Sequence, residues 1–245
     1  MFNRVLVIGE TCKDIFCYGK CDRLCPEAPA PVFNPIEEVE NPGMAMNVQK
    51  NILSLGIACD IITNKNWREI VKTRYIHKNT NQMFIRIDKG DDKITRCKVG
   101  DINFEGYDAI IISDYNKGFL SENDIDEIAS KHNYVFLDTK RKLGDWCNKV
   151  NFIKINNYEH EKTKHLLTDE LKKKLIITLG HEGCLFREKI FSVEEVEIKD
   201  VTGAGDTFMA GLVAEYIKTK NIEKAIIFAN QCATKVVQKR GVNIV

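Results

Sequence analysis

The residues best suited to chemistry lie near the C-terminal end, in Asp200-Val201-Thr202-Gly203-Ala204-Gly205-Asp206-Thr207-Phe208. Beyond the two glycines, Phe208, Met209, Leu212, Val213, Tyr216 and Ile217 recur at helical spacing. The pattern predicts a tight turn feeding a helix N-terminus, where unspent backbone N–H groups and the helix dipole favour an anion. Gly203, Ala204 and Gly205 are small enough for a phosphate to approach their backbone. Asp206 is then out of character, because a carboxylate beside an anion-binding turn repels phosphate. The placement makes sense if Asp206 accepts a proton from an incoming hydroxyl during phosphoryl transfer. Spacing alone supports equally an aspartate that merely caps the helix.

Such a turn needs strand ends beneath it. The runs Arg4–Ile8, Asp60–Thr63, Ala109–Ser113, Tyr134–Asp138, Phe152–Ile155 and Leu175–Leu179 are mostly apolar on successive residues, as in strands covered on both faces. Between them, Gly43–Leu55 predicts a helix stopping at Gly56, and Ser121–His132 one that opens on a serine cap. Asn221–Arg240 predicts another, with Ala225, Ile226, Ala229 and Val236 on one side and a stop at Gly241. Strands alternating with helices predict an α/β fold, a mostly parallel sheet with helices on both faces. Ligands gather outside the C-terminal ends of such strands. Lys117 and Lys140 fall at two of those ends and are candidates for neutralising phosphate, although either one singly is more often a solvated lysine.

All five prolines (Pro26, Pro29, Pro31, Pro35 and Pro42) fall within 17 consecutive positions, which predicts an extended or edge segment. Lys72–His77 and Met83–Asp88 alternate apolar and polar residues around a polar turn, the pattern of a hairpin with one wet face. With the region 16–32, they predict a small accessory sheet. No repeat or linker divides the chain, so residues 1–245 are expected to form a single domain. Positive and negative side chains number 36 and 35, a net charge of +1, which argues against a nucleic-acid binder that works by neutralising phosphates. No apolar run approaches the ~18 residues of a membrane span. Met1-Phe2-Asn3-Arg4 leads directly into a strand pattern, so a cytoplasmic protein without a leader is expected. The nine cysteines, an odd number, read as free thiols of a reducing compartment. The early group Cys12, Cys17, Cys21 and Cys25 has no C-x-x-C pair and no nearby histidine, so it reads as half-buried thiols in preference to a zinc site.

The Asp-x-Thr-Gly-Ala-Gly-Asp stretch resembles the C-terminal signature of the ribokinase/PfkB carbohydrate kinases. Arg23–Val32, Pro42–Val48, Lys72-Thr73-Arg74, Ser113–Gly118 and Leu137-Asp138-Thr139-Lys140 are similar to bacterial D-glycero-D-manno-heptose-7-phosphate kinases, in the same order and over nearly the whole chain. The resemblance implies a three-layer αβα ribokinase-like fold with a small β-sheet lid, here about 12–36 and 72–88. It implies an anion hole at Gly203–Gly205 with Asp206 as catalytic base. Asp14, Gly43 and Asn47 would bind the sugar, joined by Lys117 and Lys140. Asn156 and Glu159 match an Asn-x-x-Glu motif that organises Mg2+ and nucleotide phosphates, a spacing that is also a capping box. Thr178, Gly180 and Gly183 would form a turn against ATP, and Asn230 would line the adenine site. The expected reaction is ATP-dependent phosphorylation of a sugar phosphate, heptose 7-phosphate to its 1,7-bisphosphate. The alternatives are another sugar or a weakly active binding homologue. A homodimer through the lid is also implied.

Several features depart from the family. Met44 stands where the family has the second glycine of Gly-Gly, Met46 replaces a small residue, and Asn116 stands where Gly or Ala is usual. The stretches 63–72 and 88–107 are short for the family, trimming the rim. None of the five histidines forms the His-x-Gly-His pattern of the nucleotidyltransferase fused to some heptose kinases, and no P-loop occurs.

Overall fold

The computed structural model describes residues 3–245; Met1 and Phe2 of the N-terminal stretch lie outside them. An eight-stranded sheet carries the core, in the order β12-β11-β10-β9-β8-β7-β1-β4. Its parallel strands are β1 (Arg4–Gly9), β4 (Ala58–Ile62), β7 (Ala109–Asp114), β8 (Val135–Thr139), β9 (Phe152–Asn156) and β10 (Leu175–Thr178). These are the six strands expected from the apolar runs. The antiparallel edge hairpin β11 (Cys184–Phe186) and β12 (Lys189–Phe191) was not expected.

Two apolar layers sandwich the sheet. On one face, Val5, Val7, Ile111, Phe136 and Ile176 pack under α1 (Ala45–Ser54), α5 (Ala204–Thr219) and α6 (Ile222–Val237). On the other, Leu6, Ile8, Ile112, Leu137 and Ile177 meet α2 (Glu122–Lys131) and α4 (Asp169–Lys174). The short α3 (Asn157–Thr163) follows β9. Local chemistry starts most of these helices. Ser121 and Asp124 form a reciprocal capping box on α2, Thr168 caps α4 and Asn221 caps α6. The N-terminus of α5 has no side-chain cap.

A four-stranded sheet in the order β3-β2-β5-β6 forms the lid, from β2 (Thr11–Leu24), β3 (Pro31–Met44), β5 (Val71–His77) and β6 (Met83–Lys89). The prolines explain why β3 is an edge: Pro31, Pro35 and Pro42 lack the N–H that a central strand would donate. This strand runs past the expected limit at residue 36. Its ladder with β2 continues to the pair Thr11–Met44, so Gly43 and Met44 belong to the lid and α1 starts only at Ala45. Short 3-10 turns, at Trp67–Glu69, Asp91–Lys93 and Val99–Asp101, fill the trimmed stretches. All nine cysteines are free. No described helix is long and apolar enough to cross a membrane.

Candidate active site

The site begins where the apolar strands turn polar. On the face under α5, Ile111 is followed two residues later by Ser113, Phe136 by Asp138, Phe152 by Lys154 and Ile176 by Thr178. Period-two geometry keeps each of these on the α5 side. Strand register aligns Gly9, Ser113, Asp138 and Lys154 in one row across β1, β7, β8 and β9. The row lies at the C-terminal strand ends, where an open α/β sheet forms its crevice.

Helix α5 begins at that crevice. Gly203 adopts φ +80°, and a Cβ there would lie 2.8 Å from Asn47 Nδ2, so the position suits glycine on both counts. The Ala204 N–H donates to Val201 O (3.2 Å), while those of Gly205 and Asp206 find no backbone acceptor among the described residues. Of the expected anion-hole residues Gly203–Gly205, Ala204 thus spends its N–H within the turn, while the N–H of Gly205 and that of the following Asp206 stay free of backbone partners among the described residues. Asp206 does not cap its helix. Its carboxylate is buried and accepts hydrogen bonds from Asn47 Nδ2 (2.8 Å) and Tyr115 Oη (2.9 Å). Burial pushes its pKa above the ordinary carboxylate value, opposed by the Asn47 hydrogen bond and reinforced by Asp138. Burial and the Asp206 charge also raise the Tyr115 phenol well above its usual range, so it stays protonated and donates.

Asn47 is no helix-surface amide, since it is buried and links α1 to α5. Four residues earlier, Gly43 leaves room for Asp14, whose Oδ2 would lie 3.4 Å from an added Cβ. Asp14 is buried in the lid and ion-paired with Arg74 of β5. Met44, between Gly43 and α1, takes φ +61° and ψ −131°, a conformation that glycine adopts without cost. Its side chain is buried near Cys12 and Ile70.

Lys140 Nζ lies 2.6 Å from Glu159 Oε1, on the nucleotide-motif side of the site. Burial depresses the lysine's pKa, but Asp138 and Glu159 outweigh it and the net shift is upward. Asn156 and Glu159 do form the reciprocal capping box at the start of α3, and both carboxylate oxygens of Glu159 accept hydrogen bonds. Lys117 is drawn instead to Asp91 (2.8 Å). A cavity of about 620 Å³ brings together Thr178, Gly180, Gly183, Ala204, Gly205 and Asn230, with Val196, Ile198 and Val201 among its apolar lining. Asn230 is buried and donates to Phe191 O (2.8 Å). A second cavity, of about 610 Å³ against α4, contains none of the sequence-predicted residues.

Sequence reading missed Glu10, Tyr115, Asp138 and Lys154 as site residues. The buried Glu10 carboxylate accepts the N–H groups of Tyr115 and Lys117 (both 2.9 Å), tying β1 to the loop after β7. The signal that could have found Asp138 and Lys154 is the repeated change from apolar to polar at strand ends.

Comparison with solved structures gives the fold. A ribokinase from Thermotoga maritima superposes with a TM-score of 0.76 at 18% identity, covering 98% of this chain and 95% of that one. Phosphofructokinase-2 from Escherichia coli gives 0.71 at 14% identity, covering 100% and 95%. The fold is the ribokinase-like α/β fold. In sequence, the bifunctional protein HldE of a Nitratiruptor species is 32% identical over 290 residues, and that of Helicobacter pylori 32% over 294. Both alignments cover 98% of this chain, which spans 63% and 64% of those curated relatives. An alignment of 290 positions against 245 residues leaves at least 45 of them facing a gap in this chain, in keeping with the trimmed rim. The family model described as "pfkB family carbohydrate kinase" matches residues 63–245, well over half of the length. With the fold, the buried aspartate and the cavity all in agreement, the chain belongs to the pfkB family of carbohydrate kinases.

Proposed function

We propose that this kinase transfers the γ-phosphoryl group of ATP to a hydroxyl of a sugar that already carries a phosphate, with D-glycero-D-manno-heptose 7-phosphate as substrate and the 1,7-bisphosphate as product. The observation that carries the reading is Asp206, a buried carboxylate with a raised pKa beside the unspent N–H groups of the first turn of α5. In this scheme, Asp206 takes the proton of the anomeric hydroxyl as its oxygen attacks the γ-phosphorus. The Gly205 and Asp206 N–H groups hold the charge on the transferring group. Asp14 orients sugar hydroxyls, and ATP occupies the cavity between Thr178 and Asn230. Asn156 and Glu159 supply oxygen donors of the kind that suits Mg2+ held largely through water. When bound, the ion would neutralise nucleotide phosphate charge. Nine free thiols suit the reducing cytoplasm.

A phosphorylated substrate is favoured by the lid. Arg74 and Arg86 are cross-strand partners on β5 and β6, on the face that carries Lys72 and Asp14. Like charges directly opposite one another on a sheet destabilise it. Here they are held by Asp14 and Asp88, and a substrate phosphate would relieve them further. The test is ADP release over a panel of sugar phosphates and their unphosphorylated counterparts. Heptose 7-phosphate should be consumed and free sugars should not. Arg86→Gln should raise the KM for the sugar phosphate ~10-fold with the KM for ATP unchanged, the effect of losing one charge-assisted contact of about 1.4 kcal/mol. Equal turnover of free sugars would overturn the phosphate requirement. Binding without ADP release would support the second reading, a weakly active homologue, which the buried Met44 side chain beside the sugar corner favours.

We further propose a homodimer through the lid. Met83, Ile85 and Ile87 share the outer face of edge strand β6 and are each about half exposed, an apolar edge that pairing would cover. Light scattering should give the mass of two chains, and Ile85→Asp with Ile87→Asp that of one. A single-chain mass for the parent protein removes the dimer.

A further inference from the structure

We propose that the second cavity, against α4, is a binding site for a small organic acid, an aliphatic body that ends in a carboxylate or a phosphate. The cavity opens on the face of the sheet away from Asp206 and shares no lining residue with the cavity around Thr178 and Asn230.

Unequal cover creates it. On one face of the sheet, α5 and α6 run for 16 residues each. On the other, α3 and α4 beside β10 have only 7 and 6 residues, about 10 Å of helix apiece. Leu175 and Ile177 alternate onto this face, and Ile177 is the cross-strand partner of Leu185, which stays only partly buried. With Leu167 they give the cavity an apolar floor. Its volume of about 610 Å³ lies within the ~300–1,000 Å³ of small-molecule sites.

The mouth is cationic. Lys164, Lys172, Lys173 and Arg187 line it against only Asp169 and Glu188, in a chain whose 36 positive and 35 negative side chains otherwise nearly cancel. The three lysines pair with exposed carboxylates one turn away on their own helices, contacts that contribute little and yield to a better acceptor. Arg187 is more firmly placed. Its Nε donates to Lys173 O (2.9 Å), and its Nη groups have no hydrogen-bond acceptor among the described residues. Arg187 and Glu188 alone connect β11 to β12, and both have positive φ, +49° and +67°. Two-residue turns of this kind favour Asn-Gly, because a Cβ is strained in the left-handed region. Here the strained turn sets an arginine fork at the rim of an apolar cavity. A fork of donors above an aliphatic floor recognises a carboxylate or phosphate carried on an aliphatic chain. A neutral molecule would leave the cations unanswered, and an organic cation would be repelled.

Calorimetry on the full chain tests this with octanoate, octyl phosphate, octanol and octylammonium. Both anions should bind, octanol ~10-fold more weakly, and octylammonium not at all. Arg187→Gln changes an exposed side chain, and thermal melting checks that the variant folds. It should weaken both anions ~10-fold and leave octanol unchanged. Arg187→Asn with Glu188→Gly, which relaxes the turn, should melt above the parent and lose the anions to the same degree. Saturating ADP should leave octanoate binding unchanged, since the two cavities are separate. The proposal is overturned if no anion binds more tightly than ~1 mM, if octanol binds as well as octanoate, or if both Arg187 variants keep the parent's affinity for the anions. Displacement of octanoate by ADP also overturns it, because the acid would then occupy the other cavity.

Discussion

Asp206→Asn should lower turnover ~10²–10⁴-fold, the span for loss of a general base, while ADP binding stays at the parent's level. The amide still fills the space between Asn47 and Tyr115 but cannot take a proton. The same substitution should stabilise the fold at neutral pH. Burial raises the folded-state pKa of Asp206 above its ordinary value of 3.8, so the native chain binds more protons than the unfolded one between those two values. Stability from this group is therefore lost as pH rises through that window, and the ionised form opposes folding above it. The asparagine variant should melt higher than the parent near pH 7, and the difference should vanish below 3.8, where Asp206 is protonated in both states. In the parent, kcat/KM should fall on the acid side with an apparent pKa above the ordinary aspartate value. Near-parent turnover would remove Asp206 from the role of base, and a lower melting temperature at pH 7 would mean that burial does not oppose its ionised form.

The six parallel strands were legible because continuous apolar runs mark strands covered on both faces, and each lies within two residues of its expected limits. β11 and β12 were not, since three residues each are too few for any periodicity to register. Helix α6 was expected to reach Arg240 but ends at Val237. The Val237 carbonyl there accepts the N–H groups of Lys199 and Asp200, so the chain returning toward α5 takes the acceptor that a further turn needs. The start of α1 was misread for a similar reason. Pro42 and Gly43 look like a helix entry, yet the antiparallel ladder with β2 holds them extended.

The site divides along the same line. Asp206, Gly203 and Gly205 could be found because they share one turn, and local spacing reveals a local arrangement. Tyr115 and Lys154 could not, because their contacts with Asp206 and Asp138 exist only once β7, β8 and β9 are in register and α5 sits above them. The departures Met44 and Asn116 were informative. Both occupy positions where the structure has positive φ, +61° and +56°, so the backbone keeps a glycine-like conformation at each despite the side chain. The fold dictates this geometry more strongly than the residue does.

The glycines of the turn after β10 separate conformational strain from steric clash. Gly180 and Gly183 both have positive φ, +65° and +93°. An added Cβ at Gly180 meets nothing within 4 Å, so Gly180→Ala should cost only the left-handed penalty, about 1–2 kcal/mol. At Gly183 the Cβ would fall 2.0 Å from Phe191 O, which is backbone and cannot rotate away. Strain of about 1–3 kcal/mol and overpacking of about 1–3 kcal/mol combine to about 4 kcal/mol. At about 2–4 °C per kcal/mol for a chain of this size, Gly183→Ala should melt roughly 8–16 °C below the parent, and Gly180→Ala roughly 2–8 °C below. The clash also reaches function. Phe191 O is the acceptor for Asn230 Nδ2, so displacing β12 frees an amide on the cavity wall. Gly183→Ala should therefore raise the KM for ATP as well as lower the melting temperature, whereas Gly180→Ala should change the KM less. Equal melting temperatures for the two variants would mean that β12 yields freely, and that the hairpin does not hold Asn230 against the nucleotide.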